Sequence, residues 1–365
     1  MSFMDLEKIR IRISELDDEL ISLIAEREKI VEEVVNYKLS KGLPIRDFSR
    51  EKRVIERARE SAKSTKINPD MIEKVMYLLI ESSLSKQEKI KLNSLDAGRG
   101  KSALVIGGLG KMGQWMDDFL SSQGYKVLIS DSNQTEGDKF VDLDQSNLNF
   151  DLICICTPLS STKTVIEKIS NVITDALIID IASLKSPVKE ALTSLAKKGY
   201  KVASVHPMFG PDTKMLSQKH IVIIDVGNSE AANCAQDLFA STMVNTVHLS
   251  LDEHDKLMGY ILGLSHIINI AFLETLVRSN ENLPRLNNIS STTFDAQLEV
   301  ATKVISESPK LYYEIQKLNN FGAEPLSNFI ETLEDVREII SKGKEPEFIN
   351  LMLNARKEAE GLKRK

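Results

Sequence analysis

The apolar residues Leu6, Ile9, Ile13, Leu16, Leu20, Leu23, Ile30 and Val34 alternate in steps of three and four, interrupted only at position 27, which is Arg27. That spacing keeps one face of an α-helix apolar over many turns. Continued to about Leu39, the helix is on the order of 50 Å long at about 1.5 Å per residue, too long for a small domain to cover. The pattern predicts a helix whose stripe is buried by a second chain. Lys38 lies three turns beyond Arg27 and projects from nearly the same face, so two cations share one otherwise apolar stripe.

Pro44 ends this segment, and "IRDFSREKRVIERA" opens a second predicted helix with Asp47, Arg50 and Glu51 at i, i+3 and i+4, a spacing that also describes a solvated ladder of ion pairs. A third helix starts near Asn68 and Pro69, with Ile72, Met76, Ile80, Ser83 and Gln87 along one face. Three helices that turn cations and an amide into an apolar interior suit a small, highly anionic ligand. The net charge of −6 excludes a general polyanion binder and leaves anion recognition to such local islands.

Arg10, Arg27, Lys38, "RDFSRE" and Gln87 together resemble the all-helical chorismate mutases, in register over roughly residues 5 to 92. The resemblance implies that Arg10 and Arg27 hold the carboxylates of chorismate, that Lys38 and Gln87 donate to its breaking ether oxygen, and that Glu51 with Asp47 meets the hydroxyl region while Arg50 orders those acids. The rearrangement to prephenate is pericyclic, so catalysis reduces to holding the folded conformer and stabilising charge on that oxygen. Arg10 lies about 100° around the helix from Arg27, which assigns it to the partner's site in an intertwined dimer.

The polar segment "NSLDAGRGK" (93–101) reads as a linker. Beyond it the apolar strand "ALVIG" runs straight into Gly108, Gly110 and Gly113, which open the helical run "KMGQWMDDFLSSQG", the context that makes a glycine fingerprint a dinucleotide turn. A second strand, "KVLISD", ends in Asp131, an acid placed to accept from the ribose hydroxyls of NAD and to repel the extra phosphate of NADP; it also fits a turn cap. The cofactor-binding set is Gly108, Gly110, Lys111, Met112, Gly113 and Asp131, with Thr157 and Pro158 at the end of the strand "DLICICTP". That strand and "ALIIDIAS" continue a doubly wound parallel sheet. Cys154, Cys156 and Cys234 form no even framework; they read as reduced thiols, and no metal site is predicted.

"DIASLKSP" and "SVHPMFGP" resemble prephenate dehydrogenase over roughly residues 102 to 345. The resemblance implies His206 as the proton acceptor, Ser183 as its hydrogen-bonding partner near the substrate, and Lys185 and His266 as substrate-binding residues. His254 and Asp255 match a motif and equally fit a helix start, while His220 and His248 carry no family signal. One departure stands out: Asp295 occupies the place where the family often has a carboxylate-binding Arg. Arg278, Arg285 or Lys185 substitutes for it, the local alignment is shifted, or the substrate is arogenate.

The whole pattern resembles the fused chorismate mutase and prephenate dehydrogenase of tyrosine biosynthesis. It implies an all-α three-helix domain over 1–93, an α/β Rossmann-like doubly wound domain over 102–250, and an all-α C-terminal substrate and dimerisation domain over 251–365, working with NAD as a homodimer. The partners expected are chorismate, prephenate and, as feedback ligand, tyrosine, with no nucleic acid or membrane. The alternatives are an arogenate dehydrogenase fused to the mutase, and a regulatory protein with one inactive domain. The start "MSFMDLEKIR" lacks a basic and then apolar leader pattern, so a cytoplasmic location is expected. Leu257 to Val277, interrupted by Ser265, His266, Asn269 and Glu274, is expected to be a helix buried on several sides rather than a membrane span.

Overall fold

The computed structural model describes residues 6–44, 47–94, 98–133, 137–144, 146–213, 216–279 and 281–361. The quoted "RDFSRE" and the linker 93–101 lie partly outside these residues. The chain divides into two compact units. The first comprises Met1–Thr157, Thr164–Ala182 and Leu192–His248, and the second Pro158–Lys163, Ser183–Ala191 and Leu249–Lys365.

The first unit opens with α1 (Leu6–Ser40), α2 (Phe48–Ser64) and α3 (Pro69–Ser94). Only Val31 and Val35 of α1 are buried, where the helix lies on α3; among the described residues Leu6 (59% exposed), Leu16 (48%), Leu20 (54%) and Leu23 (62%) stay largely exposed. Lys86 fastens the two helices, its Nζ donating to the Glu28 carbonyl (2.9 Å) and pairing with Glu32 (2.8 Å). Asp47 caps α2, accepting from the Arg50 N–H at 2.9 Å.

The seven-stranded sheet that follows has the order β2-β1-β3-β4-β5-β6-β7. Its strands are β1 (Ser102–Ile106), β2 (Lys126–Ser130), β3 (Leu152–Ile155), β4 (Leu177–Asp180), β5 (Val202–Pro207), β6 (His220–Ile224) and β7 (Asn245–His248). β1, β3 and β4 are nearly all apolar and buried, as strands covered on both faces must be. The expected parallel sheet is broken at one pair: β5 and β6 run antiparallel. Their connection, residues 208–219, contains no helix among its described residues, and a parallel return needs a crossover, usually helical. The strand order reverses between β1 and β3, and doubly wound folds hold their ligands at the carboxyl ends of the strands at such a switch.

Between β1 and β2 runs α4 (Lys111–Ser122); α5 (Leu159–Ile169) and α6 (Lys189–Lys197) begin in the second unit and end in the first, and α7 (Ser229–Asp237) precedes β7. In the second unit, α8 (Leu251–Met258) continues through a π-helical segment (Gly259–Leu264) into α9 (Ser265–Arg278). A Cβ on Gly259 would lie 3.2 Å from the Phe321 carbonyl and from Pro325, so a side chain here would need its neighbours to give by a few tenths of an ångström. The remaining helices are α10 (Leu283–Asn288), α11 (Thr292–Ile305), α12 (Pro309–Leu318), α13 (Ala323–Ser341) and α14 (Glu345–Glu360).

The helix Leu251–Arg278 corrects one expectation. Only 11% of its most apolar window is buried within the chain, and Leu257, Ile261 and Val277 are exposed. Composition fixes that such a helix needs cover, not where the cover comes from, and the described residues of this chain supply little of it. By length and composition this helix could also cross a membrane.

Gly113 gives a direct test of the turn. Replacing a helical glycine by alanine ordinarily adds about 1 kcal/mol of stability. Here the added Cβ would sit 2.1 Å from the Gly107 carbonyl oxygen, and overpacking of this kind costs about 1–3 kcal/mol or more. Gly113→Ala is therefore expected to lower the midpoint of thermal unfolding; an unchanged or raised midpoint contradicts the packing described.

Candidate active sites

The first site lies among α1, α2 and α3. Arg27, 32% exposed at its side chain, donates through Nη1 to the Leu79 carbonyl (2.9 Å) and to Ser83 Oγ. Lys38 Nζ reaches Gln87 Oε1 at 3.3 Å, and Gln87 Nε2 donates to the Ser83 carbonyl at 3.2 Å. Ser83 and Gln87 are buried. Burial pushes the Lys38 ammonium below its ordinary pKa, while Asp47 and Glu51 oppose that shift. Two cations and an amide thus converge on α3 beside two carboxylates, a set that can hold a compact dianion and donate to an oxygen on it.

Asp47 is already engaged as the α2 cap, and the Arg50 side chain is exposed. Arg10 is not brought to this pocket within its own chain; it is exposed and pairs with Glu7 at 3.0 Å. Ser83, which orders both Arg27 and Gln87, entered the sequence reading only as part of an apolar face. An alcohol on that face, one turn before Gln87, was the available signal.

The glycine turn is built by close approach. Gly107 has φ +84° and lies against the Cys156 carbonyl, a Cβ on Gly108 would strike Ile129, and one on Gly113 would strike Gly107. The sequence reading missed Gly107, the residue of this turn whose backbone conformation requires glycine. Gly110 is the N-cap of α4 and has no side chain to cap it, so Lys111, Met112 and Gly113 form a first turn open to an anion. Asp131 accepts from the Leu109 N–H through Oδ2 and from the Asn133 N–H through Oδ1, each at 3.0 Å, which ties the end of β2 to the turn. A carboxylate retains further lone pairs for a ribose. Thr157 follows β3 in the first unit, and Pro158 precedes α5 in the second. Cys154 and Cys156 lie with their sulfurs 3.5 Å apart, and burial pushes the Cys154 thiol well up, so it is a poor thiolate.

His206 is buried on β5, paired in register with Val222. In the second unit, Ser183 and the fully buried Lys185 sit on a loop organised by Asp255. Asp255 accepts from the Lys185 N–H (2.8 Å), from the Ser186 N–H (2.5 Å), from Ser186 Oγ, and from His254 Nδ1 (2.7 Å). Burial pushes its carboxyl up, but the bonds from His254, Ser186 and Lys185 together outweigh burial and hold it below the usual range. The helix-start role considered for His254 and Asp255 belongs instead to Ser250 and Glu253, which form a reciprocal capping box.

His266 packs its ring on Tyr312, centroids 4.3 Å apart, and its buried Nδ1 has no hydrogen-bond partner among the described residues. Asp295 stands in the first turn of α11, where its charge complements the helix dipole, accepts from Ser290, and lines an open cleft of about 460 Å³ with Glu299 and Lys303. Arg278 pairs with Glu274 at 2.7 Å on the surface.

Family models match the chain in three blocks: chorismate mutase type II over residues 9–88, the prephenate dehydrogenase nucleotide-binding domain over 127–247, and the prephenate dehydrogenase dimerization domain over 250–354. The glycine turn precedes the second block and is identified by its own geometry. The chain is 26% identical over 345 residues to a T-protein of Enterobacter agglomerans, covering 94% of this chain and 90% of that one. Its N-terminal part is 33% identical over 84 residues to a chorismate mutase of Methanocaldococcus jannaschii, covering 23% of this chain and 85% of that one. Among solved structures, prephenate dehydrogenase from A. aeolicus in complex with hydroxyphenyl propionate and NAD+ shares the fold, with a TM-score of 0.60 and 16% identity over 72% of this chain and 98% of that one.

Burial lowers the pKa of His266. The folded chain therefore takes up this proton less readily than the unfolded one, and the imbalance begins as pH falls below about 6.5, the ordinary histidine value. His266→Gln is expected to lose less stability than the unsubstituted protein between about pH 7.5 and pH 5, measured by denaturant unfolding. Equal losses in the two proteins contradict the burial described.

Proposed function

We infer that this chain, which belongs to the type II chorismate mutase family over its first domain and carries both domains of a prephenate dehydrogenase behind it, is a bifunctional enzyme of tyrosine biosynthesis. It rearranges chorismate to prephenate and oxidises prephenate to 4-hydroxyphenylpyruvate with NAD. The observation that carries this reading is the presence, in one chain, of a dication-and-amide pocket and a glycine-built nucleotide turn whose two chemistries meet on one metabolite. The domain bounds proposed are 1–93, 102–250 and 251–365, in a cytoplasmic homodimer with tyrosine as feedback ligand.

In the first site, Arg27 and the partner's Arg10 clamp the two carboxylates. Lys38 and Gln87 donate to the ether oxygen as its bond lengthens, and Glu51, with the capping Asp47, receives the ring hydroxyl. No proton or electron pair passes to the protein. The Lys38–Gln87 hydrogen bond opens to admit the ligand, and each then donates to the same oxygen. Partial desolvation strengthens both donations.

In the second site, the glycine cradle fits a dinucleotide: Gly108, Gly110 and Gly113 clear the approach, the first turn of α4 with Lys111 and Met112 faces the pyrophosphate, Thr157 and Pro158 flank it, and Asp131 takes the ribose hydroxyls. NAD, when bound, supplies the hydride acceptor. His206 takes the proton of the ring hydroxyl as hydride leaves the same carbon, the bond to the ring carboxylate breaks with release of CO2 and its electron pair makes the ring aromatic, and the resulting phenolate takes the proton back. Ser183, Lys185 and His266 are assigned to the substrate by the family resemblance. Asp295 favours a second reading in which arogenate is also accepted, decided by comparing kcat/KM for the two substrates.

The two sites are expected to be separable. Lys38→Ala or Gln87→Ala abolishes chorismate turnover and leaves oxidation of supplied prephenate nearly intact. His206→Asn lowers the oxidation rate by about 10²- to 10⁴-fold, as loss of a general base does, with chorismate turnover retained. Loss of both activities in a folded Lys38→Ala, Gln87→Ala or His206→Asn variant defeats the two-site reading.

Mixed dimers test the assignment of Arg10. Arg10→Ala and Lys38→Ala are each inactive as mutases, yet a heterodimer of the two assembles one complete site. Half of randomly paired dimers are mixed and have one good site of two, so co-refolding restores roughly a quarter of normal chorismate turnover. Verified heterodimers that remain inactive place Arg10 outside the partner's site.

A further inference from the structure

Two consecutive residues near the end of α3 are both buried: Gln87 (7% exposed) and Glu88 (3%). Successive residues on a helix point about 100° apart. Gln87 faces the first site. Glu88 faces the sheet domain, where Oε2 accepts from the Leu216 N–H at 2.9 Å and Oε1 from the Met243 N–H at 3.0 Å. Leu216 lies in the 208–219 connection that leaves β5 directly after His206 and Pro207, and Met243 lies between α7 and β7. One carboxylate thus joins the last turns of the mutase helix to two loops far away in sequence.

The 208–219 connection has a second anchor. Trp115 Nε1, on the helix opened by the nucleotide turn, donates to the Thr213 carbonyl at 2.9 Å, and its ring packs on Phe209, centroids 5.1 Å apart. Trp115 also stacks on Phe119, and Phe119 on Phe239 in the segment leading to Met243. Between the clamp and β1 the chain leaves no slack at Gly98, whose N–H donates to the Gln123 carbonyl at 2.9 Å and where a Cβ would fall 2.2 Å from the Tyr125 ring. The expected linker therefore ends in a packed joint.

A side chain that served only to fill this joint could be apolar. A carboxylate that splits its two oxygens between two backbone donors instead fixes the orientation of what it joins. We propose that Glu88 is a positioning residue shared by the two reactions: through the backbone of α3 it holds Gln87 toward the ether oxygen of chorismate, and through Leu216 it holds the segment that carries the chain away from His206. Substitution at Glu88 therefore weakens both activities at once, although Glu88 touches neither substrate. The proposal rests on the two-reaction reading given above.

Full-length Glu88→Gln is the test, because the amide matches the carboxylate in shape yet sets an NH2 group against one of the two backbone donors. The kcat values for chorismate rearrangement and for oxidation of supplied prephenate are each expected to fall about tenfold, the scale of a small misplacement at a reacting centre, with the KM for prephenate nearly unchanged. Trp115 is the only tryptophan in the chain, so its emission reports the 208–219 connection and is expected to shift to the red. Lys89→Ala, at an exposed neighbouring position, leaves both rates and the emission unchanged. Retention of both rates, or loss of only one, overturns the proposal. If Glu88→Gln does not fold, Glu88→Asp, too short to reach both donors, replaces it, and a folded Glu88→Asp with both rates intact is equally fatal. Absence of one activity from the unsubstituted protein defeats the two-reaction reading instead, so the two failures are distinct.

Discussion

Apolar surface that the chain cannot cover by itself governs much of this molecule. The amino-terminal half of α1 and the long α8–α9 helix both expose rows of leucine, isoleucine and valine within the chain. At roughly 25 cal/mol per Å², leaving such rows in water is costly enough that association is the natural resolution. For α1, such association is what the proposed role of Arg10 in a partner's site requires. For the α8–α9 helix, it agrees with the dimerization-domain match over residues 250–354.

Against that background, the chemistry is concentrated in small polar islands. An acidic chain turns Arg27, Lys38 and Gln87 toward one another at α3, the set proposed to receive a dianion, and keeps Asp47 and Glu51 close enough to oppose the desolvation of Lys38. In the second half, backbone geometry contributes as much as side chains. Glycines remove the Cβ atoms that would fill the nucleotide cradle, and Asp255 gathers three residues onto one carboxylate to shape the Ser183–Lys185 loop.

The elements that periodicity controls were legible in the sequence. The three-four alternation foretold α1, Pro44 marked its end and Pro69 the start of α3, and the apolar run before Gly108 foretold the β1 turn. Features that depend on which residues meet across the fold were not legible. Glu88 looks like any surface glutamate on a helix until Leu216 and Met243 are placed against it. Asp255 read equally well as a helix start, because its partners at Lys185 and Ser186 are distant in sequence. The expected burial of Leu257–Val277 failed for a related reason: hydrophobicity records the need for cover but not its source. The antiparallel β5–β6 pair escaped notice because the described residues of the 208–219 connection form no crossover helix, and a short connection leaves little periodic signal.

The central claim is that one chain carries out two successive reactions. Purified protein given chorismate and NAD, with no prephenate added, should form NADH and 4-hydroxyphenylpyruvate in equal amounts as chorismate is consumed. NADH that appears only when prephenate is supplied, or chorismate loss with no NADH at all, would contradict the account.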